Sequence, residues 1–174
     1  MKSRRELIPL LKKSNLPLIF AEVGVAEGRM SLELLQEGID HLYLIDAWEK
    51  LNQKGDGGSE QEWHDKNYAD MIARISQYEY KVTILRGLSY EMAKQIKDND
   101  LSLVYIDADH SYEGVKRDLN AFYSKVRSGG VIAGHDYNQN GVFRAVEEFC
   151  KEKKYIPILI PENGDDSSFY FMKR

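Results

Sequence analysis

The sequence predicts an α/β fold: a mostly parallel sheet with helices on both faces and an antiparallel hairpin at the C-terminal end. Three observations carry this. Short apolar runs at 18–23, 42–45, 82–85, 101–106 and 131–133 alternate with stretches of helical periodicity. The run Leu101-Ser102-Leu103-Val104-Tyr105-Ile106 shows no polar alternation, as expected of a strand buried on both faces of a parallel sheet. Asn163-Gly164 lies between the segments 155–160 and 168–172, a spacing suited to a hairpin. Strand, helix, strand connections of this kind cross over right-handed.

The elements follow in order. Ser3 and Glu6 form a capping box for a first helix whose apolar side is Leu7, Leu10 and Leu11, and Pro17 closes it. Residues 1–17 are thus a helical extension of a single domain spanning 1–174. The first strand runs into Gly24-Val25-Ala26-Glu27-Gly28, and Met30, Leu34 and Leu35 continue as a helix with Gly38 as its C-cap. The second strand ends at Asp46. Residues 48–60, with Lys54-Gly55-Asp56-Gly57-Gly58-Ser59, read as a lid or a spacer.

Tyr68, Met71, Ile72 and Ile75 mark an amphipathic helix before the third strand, and Gly87-Leu88-Ser89 opens a helix to about Lys97. After the central strand, Val115, Leu119, Phe122, Tyr123 and Val126 keep helical spacing until Gly129-Gly130 stops them. Val142, Val146, Phe149 and Cys150 form the last helical stripe. Pro157 assigns its strand to a sheet edge. His41 and His64 read as ordinary surface residues.

The 174 residues carry a formal net charge of −4, which disfavours a nucleic-acid backbone as partner. Lys2, Arg4, Arg5, Lys12 and Lys13 cluster, and read as a solvated helix face. A single cysteine, Cys150, leaves no internal disulfide and fits a reducing compartment. With no secretory signal and no bilayer-length apolar run, the expectation is a cytoplasmic protein without a membrane partner.

Polar and acidic groups collect where the strands finish: Glu22 and Gly24, Asp46, Gly87 and Ser89, Asp107, Asp109 and His110, then His135 and Asp136. In open α/β sheets that rim is where ligands bind. The glycine loop has two glycines where the dinucleotide fingerprint has three, and Glu22 and Glu27 would repel a pyrophosphate. Asp46 follows Gly24 at close to the spacing at which an acid takes ribose hydroxyls. The ligand so described is a nucleoside with a cationic appendage, and a nicotinamide dehydrogenase is disfavoured.

The order Glu22-x-Gly24-x-x-x-Gly28, Asp46, Gly87-x-Ser89, Asp107 and Gly129-Gly130 resembles a class I S-adenosylmethionine-dependent methyltransferase over nearly the whole chain. Residues 105–115 and Gly134-His135-Asp136-Tyr137 are similar to a branch of O-methyltransferases. The resemblance implies a Rossmann-like seven-stranded sheet of order 3-2-1-4-5-7-6. It also implies S-adenosylmethionine as cofactor, with Gly24, Val25 and Gly28 under the methionine and Glu22 near its ammonium. Asp46 would hold the ribose, Leu88 and Ser89 would flank the adenine, and Asp107 would border the cofactor. Trp48 is read as core, with a place over the adenine ring as the other reading.

Metal-dependent members hold a divalent cation on an acid after the fourth strand and an Asp-Asn pair after the fifth, with a lysine as base. Here Asp107 matches the acid, His135-Asp136 replaces the pair, and His110 stands at the lysine position. The resemblance therefore implies Mg or another divalent metal at Asp107, His135 and Asp136, or His110 or His135 as a metal-free base. The implied acceptor is a small hydroxylated molecule, such as a sugar or other polyol. Its walls would come from the first helix, the 48–60 loop, residues 137–141 or a neighbouring subunit of a homo-oligomer. The alternative is a non-catalytic nucleoside-binding domain or partner subunit.

Overall fold

A computed structural model describes residues 6–51, 60–161 and 167–174. The strands β1 (Ile19–Val23), β2 (His41–Asp46), β3 (Val82–Arg86), β4 (Leu101–Ile106), β5 (Val126–Gly134), β6 (Ile158–Pro161) and β7 (Ser167–Met172) form one seven-stranded sheet. Its order is 3-2-1-4-5-7-6. The first five strands pair in parallel, while β7 runs antiparallel to both β5 and β6. The helices are α1 (Leu7–Lys12), α2 (Arg29–Gln36), α3 (Gln61–Ile75), α4 (Ser89–Met92), α5 (Tyr112–Tyr123) and α6 (Asn140–Lys153).

Strand alternation divides the core in two. From β4, Val104 and Ile106 face a layer built with Val115, Leu119 and Phe122 of α5 and Val142, Val146 and Phe149 of α6. Leu103 and Tyr105 face the other layer, which holds Leu7 and Leu11 of α1, Leu34 and Leu35 of α2, and Met71 and Ile75 of α3. Every residue of β4 is buried. The central strand is thus the fixed axis on which the rim residues are set. Each large aliphatic side chain sealed in these layers contributes about 1.5–3 kcal/mol.

Several expectations shift. Val126 does not extend α5; it opens β5, and Gly129-Gly130 lies within that strand rather than terminating a helix. Leu101 pairs with Val126 but Leu103 with Val131, so β5 carries extra residues that bulge out. Gly129, at φ +81, supplies the left-handed turn the bulge needs. The helix after Ser89 is shorter than expected, with α4 followed by a 3-10 turn at Ala93–Gln95. Edge strand β6 begins immediately after Pro157. Ser3 of the capping box, the arginines of the N-terminal basic cluster, most of the 48–60 loop and Asn163-Gly164 lie outside the described residues. Among the described residues, no helix is long and apolar enough to cross a membrane.

Candidate functional site

Hydrogen bonds beyond the strand ends bind the rim together. Gly24 N–H donates to Ile45 O, Gly87 N–H to Asp46 O, Asp107 N–H to Val23 O and His135 N–H to Ile106 O, at 2.9, 2.9, 2.7 and 3.2 Å. Each loop that follows a strand is therefore tied to its neighbour, and the polar residues named from sequence are brought to one edge. A Cβ added to Gly24 would lie 2.0 Å from Asp107 O, and its φ is +87. Only glycine allows the first loop to lie against the end of β4.

Asp46 holds the glycine loop in shape. Its Oδ2 accepts the N–H groups of Val25 at 2.8 Å and Ala26 at 3.0 Å, and its Oδ1 accepts that of Trp48 at 2.8 Å. A carboxylate offers about four acceptor positions, so capacity remains toward the cavity that Asp46 lines. Glu22 is 2% exposed and accepts the Ser31 hydroxyl at 2.6 Å. It lines the same cavity, placing a second carboxylate in its wall.

That cavity is about 520 Å³, within the range of small-ligand sites. Glu22, Gly24, Val25, Asp46, Leu88, Ser89 and Asp107 all line it. Gly28 does not. It is the left-handed residue that starts α2, at φ 73, and its Cα side is closed off by Met71 of α3. Asp109, named from sequence as a rim residue, lines it too, together with Trp63, Tyr90 and Arg117, which the sequence did not single out. The Arg117 guanidinium lies 4.7 Å from the Tyr90 ring centroid and 3.7 Å from Asp109 Oδ2, so these three residues form one wall.

A second cluster adjoins the first. His110 Nε2 stands 3.2 Å from both Asp107 Oδ1 and Asp136 Oδ2. The hydrogen bond that His110 gives to Asp107 outweighs partial burial and, with the negative charge of Asp136, raises the His110 pKa above its ordinary value. Ligand atoms of Asp107, His110 and Asp136 all lie within 4.8 Å of one another. Among the described residues this is the group able to share a metal ion, with His110 in the place the sequence reading gave to His135. The His135 Nδ1 is 3.3 Å from Asp136 Oδ2, beside the trio rather than within it. Asp136 has φ 55, a left-handed conformation that is uncommon outside glycine and concentrates at functional sites.

The expectations for three aromatic residues are settled by burial. Trp48 is 1% exposed, donates its indole N–H to Ala26 O at 2.9 Å and meets Tyr68 edge-on; it supports the glycine loop from within the core. His64 is no surface residue: it is buried on α3 and lines the cavity. His64, Asn67, Met71 and Ile75 share one buried stripe, so helical spacing to Met71 is the signal that could have found it. His41 is half-buried, its Nε2 3.0 Å from Thr83 Oγ1.

Comparison with known proteins places this arrangement. Protein R132 of Acanthamoeba polyphaga mimivirus, itself uncharacterized, is 29% identical over 128 residues, covering 69% of this chain and 52% of R132. The chain thus spans about half the length of that curated relative. The O-methyltransferase NovP superposes with a TM-score of 0.73 at 20% identity, over 97% of this chain and 77% of NovP. A Streptococcus mutans protein solved in complex with SAH superposes at 0.70 with 14% identity, over 100% of this chain and 99% of that one. These two share the fold. A model of a methyltransferase domain family matches residues 21–137, which contain the glycine loop, Asp46, Ser89 and the whole Asp107–His110–Asp136 cluster. The chain therefore belongs to this methyltransferase domain family and has the class I, S-adenosylmethionine-dependent architecture.

Proposed function

We propose that the chain is an O-methyltransferase acting on a small hydroxylated acceptor. One observation carries the reading: Asp107 belongs both to the cavity wall and to the cluster with His110 and Asp136. A hydroxyl held at the cluster therefore lies next to whatever the cavity binds. S-adenosylmethionine would supply an electrophilic methyl on a sulfonium sulfur. The residues that would hold it are Glu22 toward the ammonium, Asp46 toward the ribose, and Leu88 and Ser89 toward the adenine.

The protein has two further tasks, alignment of the acceptor and removal of its proton. Two roles for the cluster are each supported by an observation. Two carboxylates and one imidazole converging from the loops after β4 and β5 make a donor set that fits a divalent cation, softer ions included. Such a cation would supply Lewis acidity to the acceptor hydroxyl. The close contacts of His110 Nε2 with Asp107 and Asp136 support the other role, in which that nitrogen takes the acceptor proton directly.

The acceptor is small and not a nucleic acid, on the grounds of net charge and of Glu27, Glu49 and Asp109 at the cavity wall. A domain that only binds the nucleoside would need the cavity but has no use for the cluster beside it. The test is transfer of a deuterated methyl from S-adenosylmethionine to a panel of sugars, polyols and catechols, read by mass spectrometry with EDTA or with added Mg or Mn. Transfer that EDTA stops and Mn restores supports the metal role. Transfer indifferent to EDTA supports His110 as base. Cofactor binding without transfer to any hydroxyl in the panel speaks for the binding-only domain.

A further inference from the structure

Asp118 is a buried ionisable group that the proposed chemistry does not use. It sits on α5 between Val115 and Phe122 on the buried stripe, and is 2% exposed. The hydroxyl of Ser89 donates to its Oδ1 at 2.5 Å. Ser89 also lines the cavity, as do Tyr90 and Arg117.

A serine hydroxyl has one proton and two lone pairs. A carboxylate has no proton to return, so the Ser89 proton is committed to Asp118. Toward the cavity the same oxygen can then only accept. Burial pushes Asp118 up to about 6 against the pull of Ser89 and Arg117, so at pH 8 it is a carboxylate and the polarity of Ser89 is fixed.

We infer that Asp118 is a positioning residue which makes Ser89 a one-way acceptor and so selects a 6-amino purine over a 6-oxo purine. The inference rests on the adenine reading of the cavity proposed above. An exocyclic amino group donates to the fixed oxygen. A carbonyl at the same position would set two acceptors against each other, and a site built for one polarity rejects the other strongly.

The experiment is calorimetric titration at pH 8 with S-adenosylhomocysteine and with its 6-oxo analogue, S-inosylhomocysteine. The wild-type protein is expected to bind the adenine compound about 10- to 100-fold tighter. Asp118→Leu frees the Ser89 hydroxyl to rotate and donate, and the ratio falls to within about threefold; Asp118→Ala is the second variant should the larger side chain not fit. Ser89→Ala lowers the ratio equally, and combining it with Asp118→Ala lowers it no further, because the two residues act as one unit. Equal wild-type affinity for the two compounds, or an unchanged ratio in a folded Asp118 variant, overturns the inference and leaves the cofactor reading standing. Wild-type protein that binds neither compound overturns both.

Discussion

His110 Nε2 lies 3.2 Å from Asp136 Oδ2, joining the loop after β4 to the loop after β5. The two residues are far apart in sequence and meet because β4 and β5 are parallel neighbours whose ends fall level, Ile106 beside Gly134. A contact of this kind, across adjacent strand ends at the ligand-binding rim, gives the cluster its shape.

If the cluster serves chemistry and the cavity serves binding, the two should separate on mutation. His110→Ala and Asp136→Asn are expected to lower methyl transfer by about 100-fold or more. Neither residue lines the cavity, so S-adenosylhomocysteine affinity should stay within about twofold in both. Asp107→Asn, which touches both features, should lower rate and affinity together. Single-turnover rates beside calorimetric titrations make the comparison.

Asp46→Ala removes the acceptor of three backbone N–H groups. Leaving partly buried donors unpaired is expected to cost about 1–3 kcal/mol of stability, read by urea denaturation. S-adenosylhomocysteine binding should weaken at least about tenfold, because the glycine loop loses its shape.

Gly24→Ala should be among the most damaging single substitutions in the chain. The added methyl would sit 2.0 Å from Asp107 O in a left-handed backbone conformation. A loss on the order of 3 kcal/mol or more is expected, seen as a lowered melting temperature.

Asp118 ties stability to pH. Burial raises its native pKa to about 6 from an ordinary 3.8, so the folded state holds the proton more tightly than the unfolded chain. The stability this contributes is complete below about pH 4 and is lost as pH rises through 6. Asp118→Asn should match the wild type near pH 4 and exceed it at pH 8, by up to about 3 kcal/mol from the size of the shift. Urea denaturation at the two pH values measures the difference, and an asparagine variant less stable than wild type at pH 8 contradicts it.

Much of this architecture was legible in the sequence because its strands are short, apolar and separated by glycine or acid. Alternation within Leu101–Ile106 was absent for a physical reason: both faces of β4 are covered. Val126 misled because it stands at helical spacing from Phe122 and Leu119 while opening a strand whose glycine bulge has no periodic signature. The acids at the strand ends could be read as a set, since parallel strands finish on one rim. Which histidine meets them could not, because His110 and His135 both follow a buried strand and the choice depends on backbone turns such as that at Asp136. Asp118 and His64 carried a usable signal in their positions on apolar helical stripes. A polar residue at such a position reads as an interruption until its burial is known.

Calorimetric titration of the wild-type protein decides whether the acid-lined cavity receives S-adenosylmethionine. Saturable binding of S-adenosylmethionine and S-adenosylhomocysteine at micromolar concentration is expected, weakened by Asp46→Ala, with NAD failing to compete. Absence of binding at sub-millimolar ligand, or displacement by NAD, would contradict it.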